Sequence, residues 1–119
     1  MSRDSGVDRF MVRWPARTMD SNRQIQHIVI TAIMQGGLSI EFPHNLPIGA
    51  SLNIEFYVTY ENKRNRIRAK TKVVYCLLFS GSSGARIDLK IIQAAPEELH
   101  LLNNVLMTLA NSSEVDLRL

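Results

Sequence analysis

The sequence predicts an all-β fold, a small antiparallel β-barrel closed by one C-terminal α-helix. Three observations carry this reading. Apolar and polar residues alternate through several successive runs, which is the period of half-buried strands. Gly, Pro and Asn punctuate the gaps between the runs. Helical spacing appears only near the C-terminus. Many short strands followed by one helix imply a closed or nearly closed barrel with a lid, because free strand edges invite aggregation.

The elements follow in chain order. Gln24 to Ile33 is rich in β-branched residues and ends at the pair Gly36-Gly37, a turn. Beyond it Leu38, Ile40 and Phe42 alternate with Ser39 and Glu41. The loop from Pro43 to Gly49 separates this strand from the next, since proline cannot donate to a ladder. From Ser51 to Tyr60, Leu52, Ile54, Phe56, Val58 and Tyr60 share one face. Glu61 to Asn65 reads as a hairpin connection, followed by Ile67, Ala69, Thr71, Val73, Tyr75 and Leu77 inward against Arg66, Arg68, Lys70 and Lys72 outward. Gly81 to Gly84 forms another turn, leading into a strand with Ala85, Ile87 and Leu89 inward. Pro96 suits the first turn of a helix, Glu97 and Glu98 complement its dipole, and Leu99, Leu102, Leu106 and Leu109 form one apolar stripe.

With 119 residues the chain accommodates one core, read here as a domain over residues 7–111 with flexible tails at 1–6 and 112–119. A hydrophobic content of 45% against 21% charged residues fits a chain that folds alone. No apolar run approaches the roughly 20 residues of a membrane span. The N-terminal segment carries Arg3, Arg9, Arg13 and Arg17 and lacks the apolar stretch of a secretory signal. Cys76 is the sole cysteine, so no internal disulfide forms, which suits a reducing, cytoplasmic setting. The net charge of +3 is concentrated in Lys63, Arg64, Arg66, Arg68 and Lys70 and in the N-terminal arginines, a distribution that favours an anionic partner.

Catalytic equipment is not visible. His27, His44, His100 and Cys76 have no metal-ligand spacing, and nucleophile-elbow, HExxH and phosphate-loop motifs are absent. Glu97-Glu98 is explained as helix N-terminal charge. The expectation is a binding module and not an enzyme, with no metal and no cofactor.

Read in order, Arg9-Phe10-Met11-Val12-Arg13, Ala32-Ile33-Met34-Gln35-Gly36-Gly37-Leu38-Ser39-Ile40-Glu41, Leu46-Pro47-Ile48-Gly49 and Gly84-Ala85-Arg86-Ile87-Asp88-Leu89 resemble the PilZ domain family over about residues 7–109. That family is a six-stranded antiparallel barrel with a C-terminal helix. Many of its members bind cyclic di-GMP through an N-terminal RxxxR and a later [DN]xSxxG. Arg9 and Arg13 satisfy the first motif, and Gly37 fits the glycine of the second. Ala32 stands at its acidic position and Met34 at its serine position, so half the ligand signature is missing.

The resemblance implies a ligand site made of Arg9, Arg13, Ala32, Met34, Gly36 and Gly37. Arginine grips phosphate or the guanine O6 and N7 edge bidentately, whereas Ala32 cannot accept from the guanine N1 and N2 edge and Met34 offers no hydroxyl. Arg9 and Arg13 are expected to precede the first strand and to stay mobile until ligand orders them. Trp14 is expected to be a core anchor, with stacking on guanine as its alternative. The first functional expectation is a bacterial signalling module that binds cyclic di-GMP, weakened by Ala32 and Met34, and relays it to an unidentified protein partner. Two alternatives stand beside it. One is a divergent adaptor that has lost the nucleotide and acts by protein contact. The other is a basic barrel that binds nucleic acid through Arg66, Arg68, Lys70 and Lys72, disfavoured by an aromatic content of 7%.

Overall fold

The computed structural model describes residues 9–19, 23–81 and 84–118. Six strands are followed by one helix: β1 (Phe10–Met19), β2 (Ile25–Met34), β3 (Gly37–Phe42), β4 (Ser51–Tyr60), β5 (Lys63–Leu78), β6 (Ala85–Ala94) and α1 (Pro96–Arg118). All neighbouring strands are antiparallel, and the order β1-β2-β3-β6-β5-β4 closes when β4 pairs back with β1. The closed six-stranded barrel with one C-terminal helix is the expected architecture. The helix runs past residue 111, where the apolar stripe gave the domain its expected end. The expected tail at residues 1–6 lies outside the described residues.

The inward phases of the strands fill the barrel. Ile28, Ile30, Ile33, Leu38, Ile40, Ile54, Phe56, Ile67, Val73, Ile87 and Leu89 form one buried cluster. Trp14 stacks on Phe56 at 6.1 Å between ring centroids, so it is a core anchor. The helix lies against β1, β4 and β5 and adds Leu102, Val105 and Leu106 to the cluster, with Leu101 and Leu109 partly buried. The docked stripe is thus one step round the helix from the expected one: Val105 joins it, and Leu99 is 37% exposed. The Ala95 carbonyl accepts bonds from the Glu98 and Leu99 amides, which begins the helix at Pro96.

Several local features depart from simple alternation, among them bulges at Thr31 in β2 and at Ile92 in β6. The β4–β5 hairpin turns on two residues alone, Glu61 and Asn62, with φ of 52° and 63°, so β5 resumes at Lys63 inside the expected connection. In β5 the pairing passes from Val73–Leu89 to Tyr75–Asp88, which inserts Val74 as a bulge. Beyond it the inward phase moves to Cys76, while Tyr75 and Leu77, expected inward, are outward and 46% and 44% exposed. In β1 the pairing passes from Met11–Ala32 to Trp14–Ile30, another bulge close to the N-terminal arginines.

Gly36 and Gly37 do different work. Gly36 sits in the β2–β3 turn at φ 77°, and its carbonyl accepts a bond from the Ile91 amide. Gly37 is buried where β3 crosses β6, and a Cβ there would lie 2.6 Å from the Leu89 carbonyl oxygen. Gly37→Ala is therefore expected to destabilise the barrel by about 1–3 kcal/mol through forced separation of β3 and β6. Urea unfolding at equilibrium measures this, and a loss below the low end of that range would mean that the strands part without strain.

Candidate functional site

The pairing register sets a row of residues across the outside of the barrel. Met11 pairs with Ala32, Ala32 with Ser39, Ser39 with Asp88, and Asp88 with Tyr75. Ala32 and Ser39 stand outside the core cluster, yet neither is exposed to solvent. The row begins beside Arg9 and ends at the β5 bulge.

Charged groups converge on its centre. Arg9 Nη2 donates to Ser39 Oγ at 2.9 Å, and the Ser39 hydroxyl donates to Asp88 Oδ1 at 2.6 Å. Arg9 Nη1 lies 3.7 Å from Asp88 Oδ2, and Arg86 Nε lies 3.4 Å from Asp88 Oδ1. The second approach lacks hydrogen-bond geometry and leaves the buried Arg86 Nε without a hydrogen-bond partner. The Arg86 guanidinium also sits 5.6 Å from the Tyr75 ring centroid. Asp88 therefore faces two guanidiniums, and the cluster as a whole carries net positive charge. An anion approaching it meets a donor-rich surface whose own carboxylate is only partly exposed.

The expected site residues divide under this geometry. Arg9 is held by Ser39 and Asp88, where a free arm was expected. Arg13 lies inside β1, whereas the sequence reading put it before the first strand; the run Phe10, Val12, Trp14, Ala16 and Thr18 alternates inward and makes residues 10–19 a strand. Arg13 is exposed and forms no hydrogen bond or ion pair with a described residue. Ala32 occupies the row beside Ser39, and Met34, half-buried, pairs with Gly37 across the turn. Gly36 shapes that turn, and Gly37 brings β3 against β6. Ser39, Asp88, Arg86 and Tyr75 were missed as site residues. Ser39 and Asp88 were legible only as outward positions on two strands, and nothing in the sequence pairs two residues 49 positions apart.

Elsewhere, His27, His44 and His100 are exposed, and among the described residues no group of His, Cys, Asp or Glu is arranged to hold a metal. No helix among the described residues is long and apolar enough to cross a membrane.

A closed six-stranded antiparallel barrel followed by one C-terminal helix is the architecture of a PilZ-type domain. Residues 7–108 match the PilZ domain family, most of the sequence, and the chain belongs to that family. Two solved structures share the fold. MotI/DgrA, the inhibitor of motility of Bacillus subtilis, superposes with a TM-score of 0.76 at 14% identity, covering 95% of this chain and 52% of that one, so the present chain spans about half its length. The PilZ domain of YcgR from Escherichia coli, solved with c-di-GMP, gives a TM-score of 0.69 at 10% identity with 98% of each chain covered. No curated protein matches the sequence.

The Ser39 hydroxyl is the joint of the cluster, since it accepts from Arg9 and donates to Asp88. Ser39→Ala is expected to cost about 1 kcal/mol of stability and to release the Arg9 guanidinium. Urea unfolding reads the first effect and side-chain NMR of the Arg9 Nε–H reads the second. An Arg9 signal as ordered in the variant as in the parent would show that Asp88 alone holds it.

Proposed function

We propose that this chain is a cyclic di-GMP receptor module whose guanine-reading carboxylate is Asp88. The observation that carries this reading is the row Ala32–Ser39–Asp88. It sets a hydroxyl and a carboxylate one and two strands from the position at which the family's ligand motif has its acidic residue. Asp88 can accept from the guanine N1 and N2 edge, which Ala32 cannot. Arg13, exposed and without a partner among the described residues, is available to phosphate or to guanine O6 and N7.

Two features weaken such binding relative to an intact motif. Adjacent strands are about 4.8 Å apart, so the acceptor is displaced by about 10 Å along the row. The ligand must also draw Arg9 away from Ser39 and Asp88 or bind without it. The bound nucleotide, bridging β1 and β6, would present a changed surface to a protein partner. MotI/DgrA is named for inhibiting motility, and relay to a protein is the corresponding reading here.

One observation favours the alternative of an adaptor without nucleotide. Arg9 is already satisfied by the protein's own carboxylate, the arrangement expected where an internal contact has replaced a ligand.

Calorimetric titration with cyclic di-GMP, with cyclic di-AMP and GMP as controls, separates the two. Saturable binding to cyclic di-GMP alone is expected, and Arg13→Ala should abolish it while changing stability by no more than about 0.5 kcal/mol. Absence of any binding would leave the adaptor reading in possession, and a large fall in the Tm of Arg13→Ala would make Arg13 structural.

A further inference from the structure

At the far end of β1 from Arg9 the barrel carries a groove of about 710 Å³, lined by β1, the start of β2, β4, β5, β6 and the start of α1. Its apolar surface comes from Met19, Ile25, Ala69, Ala94 and Pro96, and Met19 and Ile25 are 45% and 51% exposed. That volume lies within the range of small-ligand clefts and seats one or two large side chains. Arg17 at its near edge stands eight residues of extended β1 from Arg9, roughly 26 Å, and four from Arg13, roughly 13 Å, so the groove is a separate surface from the Ser39–Asp88 cluster.

Its charges are unequally committed. Arg17 is tied to Glu55, and Glu98 Oε1 accepts from the Arg68 backbone amide at 2.5 Å. The Arg68 guanidinium and the Lys70 ammonium form no ion pair or hydrogen bond with a described residue. Both are exposed on the rim. The row continues beyond the groove with Lys72, which pairs across the sheet with Lys90. Alternate strand positions are about 6.6 Å apart, so Arg68, Lys70 and Lys72 mark a cationic line of about 13 Å running out of an apolar pocket.

We propose that this groove and its basic line dock an extended segment of a partner protein, with an apolar side chain seated against Met19 and Ile25 and acidic residues at alternate positions over Arg68, Lys70 and Lys72. Charge complementarity and length carry the assignment. The line extends past the pocket, so the occupant is longer than a small molecule. Its spacing equals the repeat of side chains on one face of an extended peptide. Nucleic acid fits less well. No aromatic residue lines the groove to stack a base. The inference is independent of nucleotide binding, which concerns the other end of the barrel.

The test is fluorescence anisotropy of the full chain, without nucleotide, against a labelled peptide carrying two leucines followed by three glutamates at alternate positions. A single-stranded oligonucleotide of matched charge runs in parallel. Saturable peptide binding is expected, weakened at least fivefold by Arg68→Gln with Lys70→Gln and also by replacing the peptide's leucines with serine. Ile25→Ser, at an exposed site, should weaken it severalfold with an unchanged melting curve, whereas Asp88→Asn should leave it as it was. No saturable binding, an indifferent Arg68/Lys70 variant, or tighter binding of the oligonucleotide would each overturn the proposal. A failed cyclic di-GMP titration would leave it standing.

Discussion

Closure of the sheet is the constraint from which the rest follows. Each strand is paired on both sides, and the ring is completed by a short seam in which Ala16–Met19 pair with Asn53–Phe56. Pro15 stands one residue before this seam, where its missing N–H deprives β4 of nothing. Glu55 reinforces the seam from outside. It is contacted by Arg17 on β1 and lies 3.8 Å from Arg66 on β5, so one carboxylate bridges three strands. With the ring closed, the inward phase goes to apolar packing, with Thr18 and Thr71 as its polar members, and the charged groups are displayed outside.

What is displayed there depends on the bulges. An unbroken β5 would keep Tyr75 in the inward phase of Val73 and leave Asp88 facing an apolar neighbour. The extra residue Val74 turns Tyr75 outward, beside Asp88 and under Arg86. The bulge in β1 likewise adds a residue between Met11 and Trp14, so that Met11 stays level with Ala32 while Trp14 still reaches Phe56. The polar row therefore exists because β5, β1 and β2 lose register at chosen points, a role bulges often serve near sites. In β2 the point lies between Ile30 and Ala32, where Thr31 is the extra residue that leaves Ala32 outside the core cluster.

Those bulges also explain which parts of the molecule were legible in the sequence. β4 reads directly, because its alternation from Leu52 to Tyr60 is unbroken and its inner face needs no help from distant residues. β5 reads correctly as far as Val73 and fails beyond it, since Val74 is an ordinary strand residue and no Gly or Pro announces the shift. Strand β1 was concealed by its arginines and by Pro15. Periodicity also found the helix but misjudged its docked face by one position, because sequence spacing admits both Leu99 and Val105 and only packing on β1, β4 and β5 chooses between them. For the site, Arg9 and Arg13 were accessible as a motif. Ser39 and Asp88 were not, as their meeting is a product of β3–β6 register.

The small residue at Ala32 acquires a physical meaning from that register. A carboxylate at position 32 would be buried on the outer row, one strand from Ser39 and two from Asp88, and would compete with Asp88 for Arg9. Two like charges in so confined a place repel, and each raises the cost of ionising the other. The row therefore accommodates one carboxylate cheaply, and in this chain it stands on β6. Seen this way the small side chain at Ala32 is the complement of Asp88: its size leaves room for Arg9 to cross to Ser39, and its neutrality leaves the guanidinium to Asp88. A small neutral residue on β2 and a carboxylate on β6 are then two sides of a single electrostatic arrangement, which any ligand of this face must read as it finds it.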